Sequence, residues 1–374
     1  MDYERPQFFR FMKYAAEADR DVVDMVSGNP DWEPPTALRE ALHEYADADA
    51  DDFQYPPSVG LTELREEIAQ RRGVARERVV ITNGTGEANH LAMTGGYESM
   101  PGEEIVLTDP VYPYYAGRSN LIGASRRFVP ADADGQLQPE RAKEAVSDET
   151  SVVVVNSPNN PTGAVYPEAT IATLVDLVED HDAVLVSDEV YDHFDHSGRF
   201  TSALSFDSDH VVVTNGFSKS MAITGFRVGY GVFPDPEAAG PLGDILDGAR
   251  TRHMLTNVTG ARPSQKAVYE ALRETPPEYY EANRELLDER IADFTAALDG
   301  AGAEYTSPQG AFYVMARFED FPGTFENVEK LIDEAGVAGM PGEAFGQSKA
   351  DWIRFAMVTP RADVAAERLA EYFA

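Results

Sequence analysis

The sequence predicts an α/β protein in which helices cover both faces of a mainly parallel sheet, together with a second, smaller α+β domain. Short valine-rich apolar runs alternate with longer helix-like segments through the central part of the chain. Uninterrupted apolar runs of this kind are typical of strands that are buried on both faces, as in parallel sheets. After about residue 265, long charge-rich helical segments replace this alternation. We therefore expect a large domain over residues 40–264 and a small domain built from residues 1–39 and 265–374.

Periodicity places the individual elements. Leu61, Leu64 and Ile68 share one face of a helix predicted over Leu61–Arg72. The predicted strands of the large sheet are Val79–Thr82, Ile105–Thr108, Ser151–Val155, Ala183–Ser187, Val211–Thr214 and Val228–Phe233. The predicted elements of the small domain are the helices Gln265–Leu272 and Tyr279–Leu298 and the strands Ala311–Phe318 and Trp352–Val358.

Composition narrows the class of protein. The 374 residues include 65 acidic and 31 basic ones, which gives a formal net charge of −34. A field of that sign repels nucleic acids and anionic membranes. Because the acidic residues are spread along the whole chain, we predict adaptation to high salt; the alternative is an ordinary acidic cytosolic enzyme. There is no cysteine and no apolar run of membrane-spanning length. We therefore expect a cytoplasmic protein without a metal site.

Lys219 is the first candidate for chemistry. The chain contains only six lysines, and small apolar residues follow this one in the segment SKSMAITG. Burial in such surroundings lowers the pKa of an amine and frees it to form a Schiff base. Arg227 follows eight residues later and would suit a phosphate.

Polar residues at predicted strand ends form a second group of candidates, because ligands bind at the carboxyl ends of strands in such sheets. Asp188 closes the strand AVLVSD, and Tyr191 follows it. A carboxylate there is more often a cap or turn residue, but it also suits the protonated ring nitrogen of a pyridine cofactor. Asn160 lies in NSPNNPTG, which is good turn chemistry and also projects an amide at a strand end.

The segment GTGEAN follows the strand VVIT and suits a phosphate at a helix N-terminus. Gly84, Thr85 and Gly86 are small enough for backbone amides to approach a phosphate, and we expect the helix to begin at Glu87. The same residues resemble half of a dinucleotide fingerprint, but Asn89 stands where the third glycine belongs. Tyr112, in DPVYPYY, would stack on a flat ring, or is an ordinary loop aromatic.

In combination these segments resemble class I/II aminotransferases of fold type I, the aspartate-aminotransferase-like enzymes that use pyridoxal 5′-phosphate. The resemblance runs from about Ser27 to Pro360. The segments that carry it, in order, are SGNPDWEPP, YPPSVGLTELREEIA, ITNGTGEANHLA, DPVYPYY, NSPNNPTG, SDEVY, GFSKSMAITGFRVGY and IRFAMVTP. It implies a seven-stranded large sheet, amino-group transfer between an L-amino acid and a 2-oxo acid in two half-reactions, and a homodimer with shared active sites.

The resemblance also implies roles around the cofactor ring. Lys219 resembles the lysine that holds the cofactor as a Schiff base and moves the substrate's α-proton. Asp188 resembles the partner of the ring nitrogen, and Asn160 and Tyr191 resemble donors to the ring oxygen. Tyr112 resembles the aromatic residue stacked on the ring.

Further roles concern the cofactor's phosphate. Gly84, Thr85 and Arg227 resemble the residues that hold it. Tyr55 resembles a tyrosine donated across a dimer interface to the phosphate of the neighbouring subunit. Gly216 departs from the family pattern, because the family usually has a serine or threonine there. Ser218 or water would then replace the missing hydroxyl.

For the substrate, Arg354 resembles the small-domain arginine that binds the α-carboxylate, with Gly28 and Asn160 as further contacts. Three alternatives remain on the sequence alone. A lyase or decarboxylase on the same fold would use the same residues. A non-catalytic cofactor-binding regulator would be expected to carry a DNA-binding extension. A nicotinamide-dependent dehydrogenase would leave Lys219 and Asp188 without a role.

The sequence does not identify the substrate. A dicarboxylate would need a second arginine, for which Arg252 and Arg262 are available by composition. The aromatic N-terminal residues would either line a pocket for apolar side chains or pack on the small domain, and we expect packing. These residues are Phe8, Phe9, Phe11 and Tyr14.

Overall fold

The computed structural model describes residues 7–374; the first six residues of the predicted small-domain segment lie outside it. Its helices are α1 (Phe8–Glu17), α2 (Thr36–Ala46), α3 (Thr62–Arg72), α4 (Thr85–Ser99), α5 (Pro113–Ile122), α6 (Pro139–Ala145), α7 (Glu168–Asp180), α8 (Leu242–Asn257), α9 (Arg262–Glu274), α10 (Pro277–Gly300), α11 (Phe325–Ala335) and α12 (Ala362–Phe373). Its strands are β1 (Val23–Asp24), β2 (Val79–Thr82), β3 (Glu104–Asp109), β4 (Ser125–Pro130), β5 (Thr150–Asn156), β6 (Val184–Asp188), β7 (Val211–Gly216), β8 (Gly229–Val232), β9 (Glu304–Tyr305), β10 (Tyr313–Arg317), β11 (Val337–Ala338), β12 (Met340–Pro341) and β13 (Ile353–Ala356).

The large sheet has seven strands in the order β2-β8-β7-β6-β5-β3-β4. Strand β8 runs antiparallel to both of its neighbours, and the other pairs are parallel. The α/β class and the seven-stranded, mainly parallel sheet are therefore confirmed. All six predicted apolar runs form strands of this sheet. The seventh strand, β4, has no apolar run because it lies at the sheet edge and buries only Val129.

Burial on both faces follows directly from the alternation of side chains along each strand. In β5, Val153 and Val155 belong to the apolar cluster on one face, which also contains residues of α3, α7 and α9. Val152 and Val154 belong to the cluster on the opposite face, with residues of α4 and α8. The central strands β5, β6 and β7 are buried along their entire length. This arrangement explains why their sequences are continuous apolar runs.

A third apolar cluster lies around a four-stranded sheet of order β12-β13-β10-β9. It contains Phe11 of α1 and Val23 of β1 together with residues of α10, α11 and α12. The N-terminal segment thus packs with the C-terminal part of the chain. Helix α9 spans the predicted boundary at residue 264, and its apolar side chains belong to the large-sheet cluster. We propose that the second domain boundary lies after α9, and the division of the chain into these domains stays a prediction.

Candidate active site

A cavity of about 470 Å³ lies between the carboxyl ends of the large-sheet strands and the small-domain elements. Its wall brings together most of the residues singled out from the sequence. These are Gly28, Thr85, Tyr112, Asn160, Asp188, Tyr191, Ser218, Lys219, Arg227 and Arg354. Gly84 lies directly behind this wall, against Arg227. The strand ends of an α/β sheet therefore meet at one site, as the topology requires.

Lys219 follows β7 and projects its amine into the middle of the cavity. Its Nζ donates a hydrogen bond to the carbonyl oxygen of Gly28 at 2.7 Å. Desolvation, together with the positive charges of Arg354 and Arg227, lowers the pKa of Lys219 to about 8, against the opposing effect of Asp188. An amine with this pKa is about half neutral near pH 8, and the neutral form is the one that attacks a carbonyl group.

Asp188 ends β6 and is almost completely buried. Its Oδ2 accepts hydrogen bonds from Asn89 Nδ2 and from the Tyr115 hydroxyl, each at 2.6 Å. Burial raises the pKa of Asp188, and the two donors oppose that rise. A cation placed beside this carboxylate would favour its charged form.

A hydrogen bond from β7 fixes the orientation of the Asn89 side-chain amide. Its Oδ1 accepts a hydrogen bond of 2.6 Å from the Thr214 hydroxyl on β7, so its Nδ2 must face Asp188. In the sequence, Asn89 was considered only as the residue that stands in place of the third glycine of a dinucleotide fingerprint. The structure assigns it a place beside Asp188, which the fingerprint comparison had no means to predict. The sequence signal that could have pointed to this role is an asparagine one helical turn after Thr85, on the helix that begins at the site.

Tyr191 shares its hydroxyl hydrogen bond with Tyr313 of β10, at 2.9 Å between the two oxygens. Both side chains are buried, and burial followed by the proximity of Tyr313 raises the pKa of Tyr191. Tyr313 also lies against Gly28, where a Cβ would come within 2.4 Å of its hydroxyl oxygen. Tyr313 was missed in the sequence because a tyrosine in a buried strand has the same pattern as a core residue.

Arg354 on β13 is almost completely buried. Its Nη1 donates to Asn160 Oδ1 at 3.1 Å and its Nη2 donates to the carbonyl oxygen of Val26. Its Nε has no hydrogen-bond partner among residues 7–374. The guanidinium carbon lies 4.5 Å from the ring centre of Tyr313. A buried guanidinium with donor capacity left over is suited to a carboxylate ligand.

The opposite end of the cavity is formed by the first turn of α4. This helix begins at Thr85, so the expected start at Glu87 is wrong by two residues. Gly84 precedes it with a φ of 78°, and a Cβ there would lie 2.3 Å from Nη2 of Arg227. Glycine thus permits both the backbone conformation and the close approach of the arginine. The hydroxyl of Thr85 is buried with no partner in the described part of the chain.

Close packing explains the departure at Gly216. A Cβ on Gly216 would lie 2.5 Å from Oγ1 of Thr85 and 3.2 Å from both Cα of Gly229 and the carbonyl oxygen of Val228. The Thr85 side chain therefore fills the space that a serine or threonine at position 216 would need. Ser218 lines the cavity nearby.

Aromatic side chains form the remaining wall. Tyr112 stacks on Tyr114, with ring centres 4.9 Å apart, and Phe8 of α1 lies 6.0 Å from Tyr112. Phe11 is fully buried in the small-domain cluster, as expected for packing, and Tyr14 donates to Asp333. Phe8 also packs against this cluster, as expected, and in addition lines the cavity. Phe9 lines the cavity as well, but it is 71% exposed and is not part of the cluster's buried core.

Some sequence candidates lie elsewhere. Tyr55 is 80% exposed and does not line the cavity. Arg252 pairs with Glu98, and Arg262 pairs with Asp52, so neither arginine reaches the site within this chain. No group of three or more metal-ligating side chains occurs within residues 7–374, and no helix there is long and apolar enough to cross a membrane.

Comparison with known proteins identifies the relatives of this chain. A family model described as aminotransferase class I and II matches residues 20–371. A probable aspartate/prephenate aminotransferase of Thermus aquaticus is 32% identical over 87% of this chain and 84% of its own length. A probable aspartate aminotransferase of Methanocaldococcus jannaschii is 29% identical over 93% and 92% of the two chains. The structure of Thermus thermophilus aspartate aminotransferase with maleate superposes with a TM-score of 0.90 at 29% identity, covering 99% of this chain and 97% of the other.

Proposed function

Because the chain belongs to the class I and II aminotransferases, and is therefore a pyridoxal-phosphate-dependent aminotransferase, we propose that Lys219 is the residue that binds the cofactor and handles the substrate's α-proton. The observation that carries the proposal is that the amine of Lys219, the carboxylate of Asp188 and the guanidinium of Arg354 line one cavity. Each of the three offers what one part of the reaction needs: a neutral amine, a buried negative charge and a carboxylate anchor.

The residues of the cavity fit the cofactor. At the α4 end, the free hydroxyl of Thr85, the amides of the first helical turn and the guanidinium of Arg227 suit a phosphate. We propose Ser218 as a further phosphate donor. Asp188 would pair with the ring nitrogen, and Asn160 and Tyr191 would donate hydrogen bonds to the ring oxygen. Tyr112 would stack on the face of the ring.

When bound, the cofactor supplies an electron sink that acidifies the α-carbon of an attached amino acid. Lys219 is the base that we propose takes the α-proton and returns it, since its lowered pKa matches general acid–base work near neutral pH. Asp188, with its two fixed donors, keeps a negative charge where the ring nitrogen must remain protonated. Arg354 holds the α-carboxylate, helped by Asn160 and by the backbone at Gly28.

Transamination, rather than elimination or decarboxylation, is supported by the names of the relatives, which are aminotransferases. The test is a spectral titration of the purified protein with single L-amino acids. Loss of the visible band of the bound cofactor, restored by a 2-oxo acid, is the expected result. Release of ammonia or carbon dioxide without such recovery would support a lyase or decarboxylase instead.

We also propose a homodimer in which Tyr55 reaches the partner's phosphate site. Tyr55, Phe53, Leu255 and Val258 are all large side chains that are more than half exposed. The segments next to Tyr55 and Val258 are joined, because Thr259 Oγ1 donates to the carbonyl oxygen of Pro57 at 3.0 Å. Exposed apolar patches favour protein–protein contact.

Complementation tests this arrangement. Coexpressed Lys219→Ala and Tyr55→Ala subunits would form mixed dimers with one complete site, which combines Lys219 of one subunit with Tyr55 of the other. Activity well above that of either variant alone is expected. If mixed dimers regain nothing, Tyr55 does not act across the interface. The cytoplasmic location and the adaptation to high salt stay predictions.

A further inference from the structure

The wall of the cavity next to Arg354 is aromatic. Phe8 lies with its ring centre 5.2 Å from the guanidinium carbon of Arg354, and Phe345 lies 5.3 Å from it. Phe8 also contacts Tyr112 and Tyr114, with ring centres 6.0 and 6.3 Å away. Met12, one helical turn after Phe8, lines the same part of the cavity. A substrate whose carboxylate is bound by Arg354 would therefore meet apolar surface beside its α-carbon.

The cations of the cavity do not provide a second carboxylate site near Arg354. The basic residues that line it are Arg118, Lys219, Arg227 and Arg354. Arg227 donates to the carbonyl oxygens of Thr224 and Asn83 at the α4 end. Arg118 also lies at that end, where a Cβ on Gly86 would be 3.0 Å from its Nη2; its guanidinium carbon lies 5.7 Å from the ring centre of Tyr114, and its Nη1 has no hydrogen-bond partner among the described residues. Among the described residues, Arg354 is thus the carboxylate anchor remote from α4.

The cations on helix α1 are engaged away from the cavity. Arg10 pairs with Glu329 at 2.6 Å, and Lys13 pairs with Glu17 at 3.6 Å. Among the described residues, the helix therefore offers the cavity only apolar side chains, those of Phe8, Phe9 and Met12. A distal carboxylate placed against these side chains would lose its hydration without gaining a partner, which is costly.

We infer that the substrate is an L-amino acid with a large apolar side chain, aromatic or branched aliphatic, and that Phe8 of α1 is a specificity-determining residue that contacts it. This inference rests on the proposed function, since it assumes that Arg354 binds the α-carboxylate. The apolar side chain takes its place among aromatic rings, whereas the other cavity arginine with an unpaired donor among the described residues, Arg118, lies beside Gly86 at the α4 end.

Rates of cofactor conversion test the substrate class. The holoenzyme is mixed in single turnovers with L-phenylalanine, L-leucine, L-alanine and L-aspartate, and the loss of the visible band is followed. The quantity compared is the second-order rate constant for loss of the band. For phenylalanine or leucine it is expected to exceed that for aspartate by roughly tenfold or more. A preference for aspartate would overturn the inference and leave the proposed function intact. If no amino acid alters the band, the proposed function fails.

Two further measurements place the side chain. Phe8→Ala should lower the specificity for phenylalanine roughly tenfold and change that for alanine far less, because only the larger side chain reaches the ring. Lys13→Ala, on the outer face of the same helix, is the matched control and should change neither. Equilibrium titration gives a readout apart from turnover: 3-phenylpropanoate should bind more tightly than succinate, and Phe8→Ala should remove that difference. Equal effects of Phe8→Ala on both amino acids would overturn the placement.

Discussion

The hydroxyl oxygens of Tyr191 and Tyr313 lie 2.9 Å apart in the cavity wall, and Tyr313 also lies under the guanidinium of Arg354. One side chain on β10 therefore touches both the group proposed to meet the ring oxygen and the group proposed to bind the substrate. Either hydroxyl of this pair can be the donor; when Tyr313 donates to the Tyr191 oxygen, it polarises the Tyr191 hydroxyl and strengthens the donation of that hydroxyl to the ring oxygen. This makes Tyr313 a positioning residue for Tyr191.

Tyr313→Phe should accordingly weaken the hydrogen bond that Tyr191 donates to the ring oxygen of the cofactor. The variant keeps an aromatic ring under Arg354. The pH at which the visible band of the bound cofactor titrates should rise, by up to about one pKa unit, which corresponds to about 1.4 kcal/mol. The Michaelis constant for the amino acid should change little. A spectral pH titration of both proteins measures this, and an unchanged midpoint would contradict the assigned role.

Thr214 acts on Asp188 through Asn89. Thr214→Val removes the hydroxyl that fixes the amide of Asn89 and should reduce kcat by roughly three- to tenfold, since one hydrogen bond contributes about 0.5–1.5 kcal/mol. Thr94→Val is a suitable control, because Thr94 is a buried threonine of the same helix as Asn89, and its hydroxyl has no partner among the described residues. Equal activities of the two variants would refute the relay.

Gly216→Ser restores the residue type usual in the family, yet it should weaken cofactor binding in this chain. Its Cβ would compete with Oγ1 of Thr85, and overpacking of this kind typically costs about 1–3 kcal/mol. The added change Thr85→Ala should recover part of the affinity, because it clears the space and lets the new serine hydroxyl replace the hydroxyl of Thr85 at the phosphate. The measurement is the equilibrium dissociation constant of the cofactor for the unmodified protein and both variants. Tighter binding by Gly216→Ser than by the unmodified protein would show that the site accommodates the added side chain.

The lowered pKa of Lys219 predicts how the apoenzyme reacts with its cofactor. Only the neutral amine attacks, so the rate of Schiff-base formation should rise with pH and level off above about 8. An ordinary lysine would keep gaining up to its usual pKa of 10.5. Stopped-flow mixing on both sides of pH 8 distinguishes the two profiles, and a rate that climbs without a plateau would argue against a desolvated amine.

The charge of −34 predicts a dependence on salt. Dilution of the salt that screens the acidic side chains should lower the melting temperature, because their mutual repulsion then destabilises the folded state. Melting curves at several concentrations of potassium chloride measure this effect. A melting temperature that is independent of salt would leave the protein an ordinary acidic enzyme.

Periodic patterns and the residues at predicted strand ends were enough to predict the buried strands and part of the candidate site. Valine runs identified the buried strands, the ends of those strands pointed to Asp188 and Lys219, and the spacing from Lys219 pointed to Arg227; all three line one cavity. Strand β4 was missed because an exposed edge strand has no need of apolar residues on both faces. Asn89 and Tyr313 were missed because their roles depend on hydrogen bonds between distant segments, to Thr214 and Tyr191, which no local pattern encodes.

The central claim is that Lys219 is the residue bonded to the cofactor, and chemical trapping tests it most directly. The holoenzyme is reduced with borohydride and digested, and the peptides are analysed by mass spectrometry. The account predicts that the cofactor is attached to the peptide that contains Lys219, and that Lys219→Ala abolishes the label and the turnover while the cofactor still binds. Attachment to another lysine, such as the buried Lys349 beside Trp352, or appreciable turnover by the Lys219→Ala variant, would contradict it.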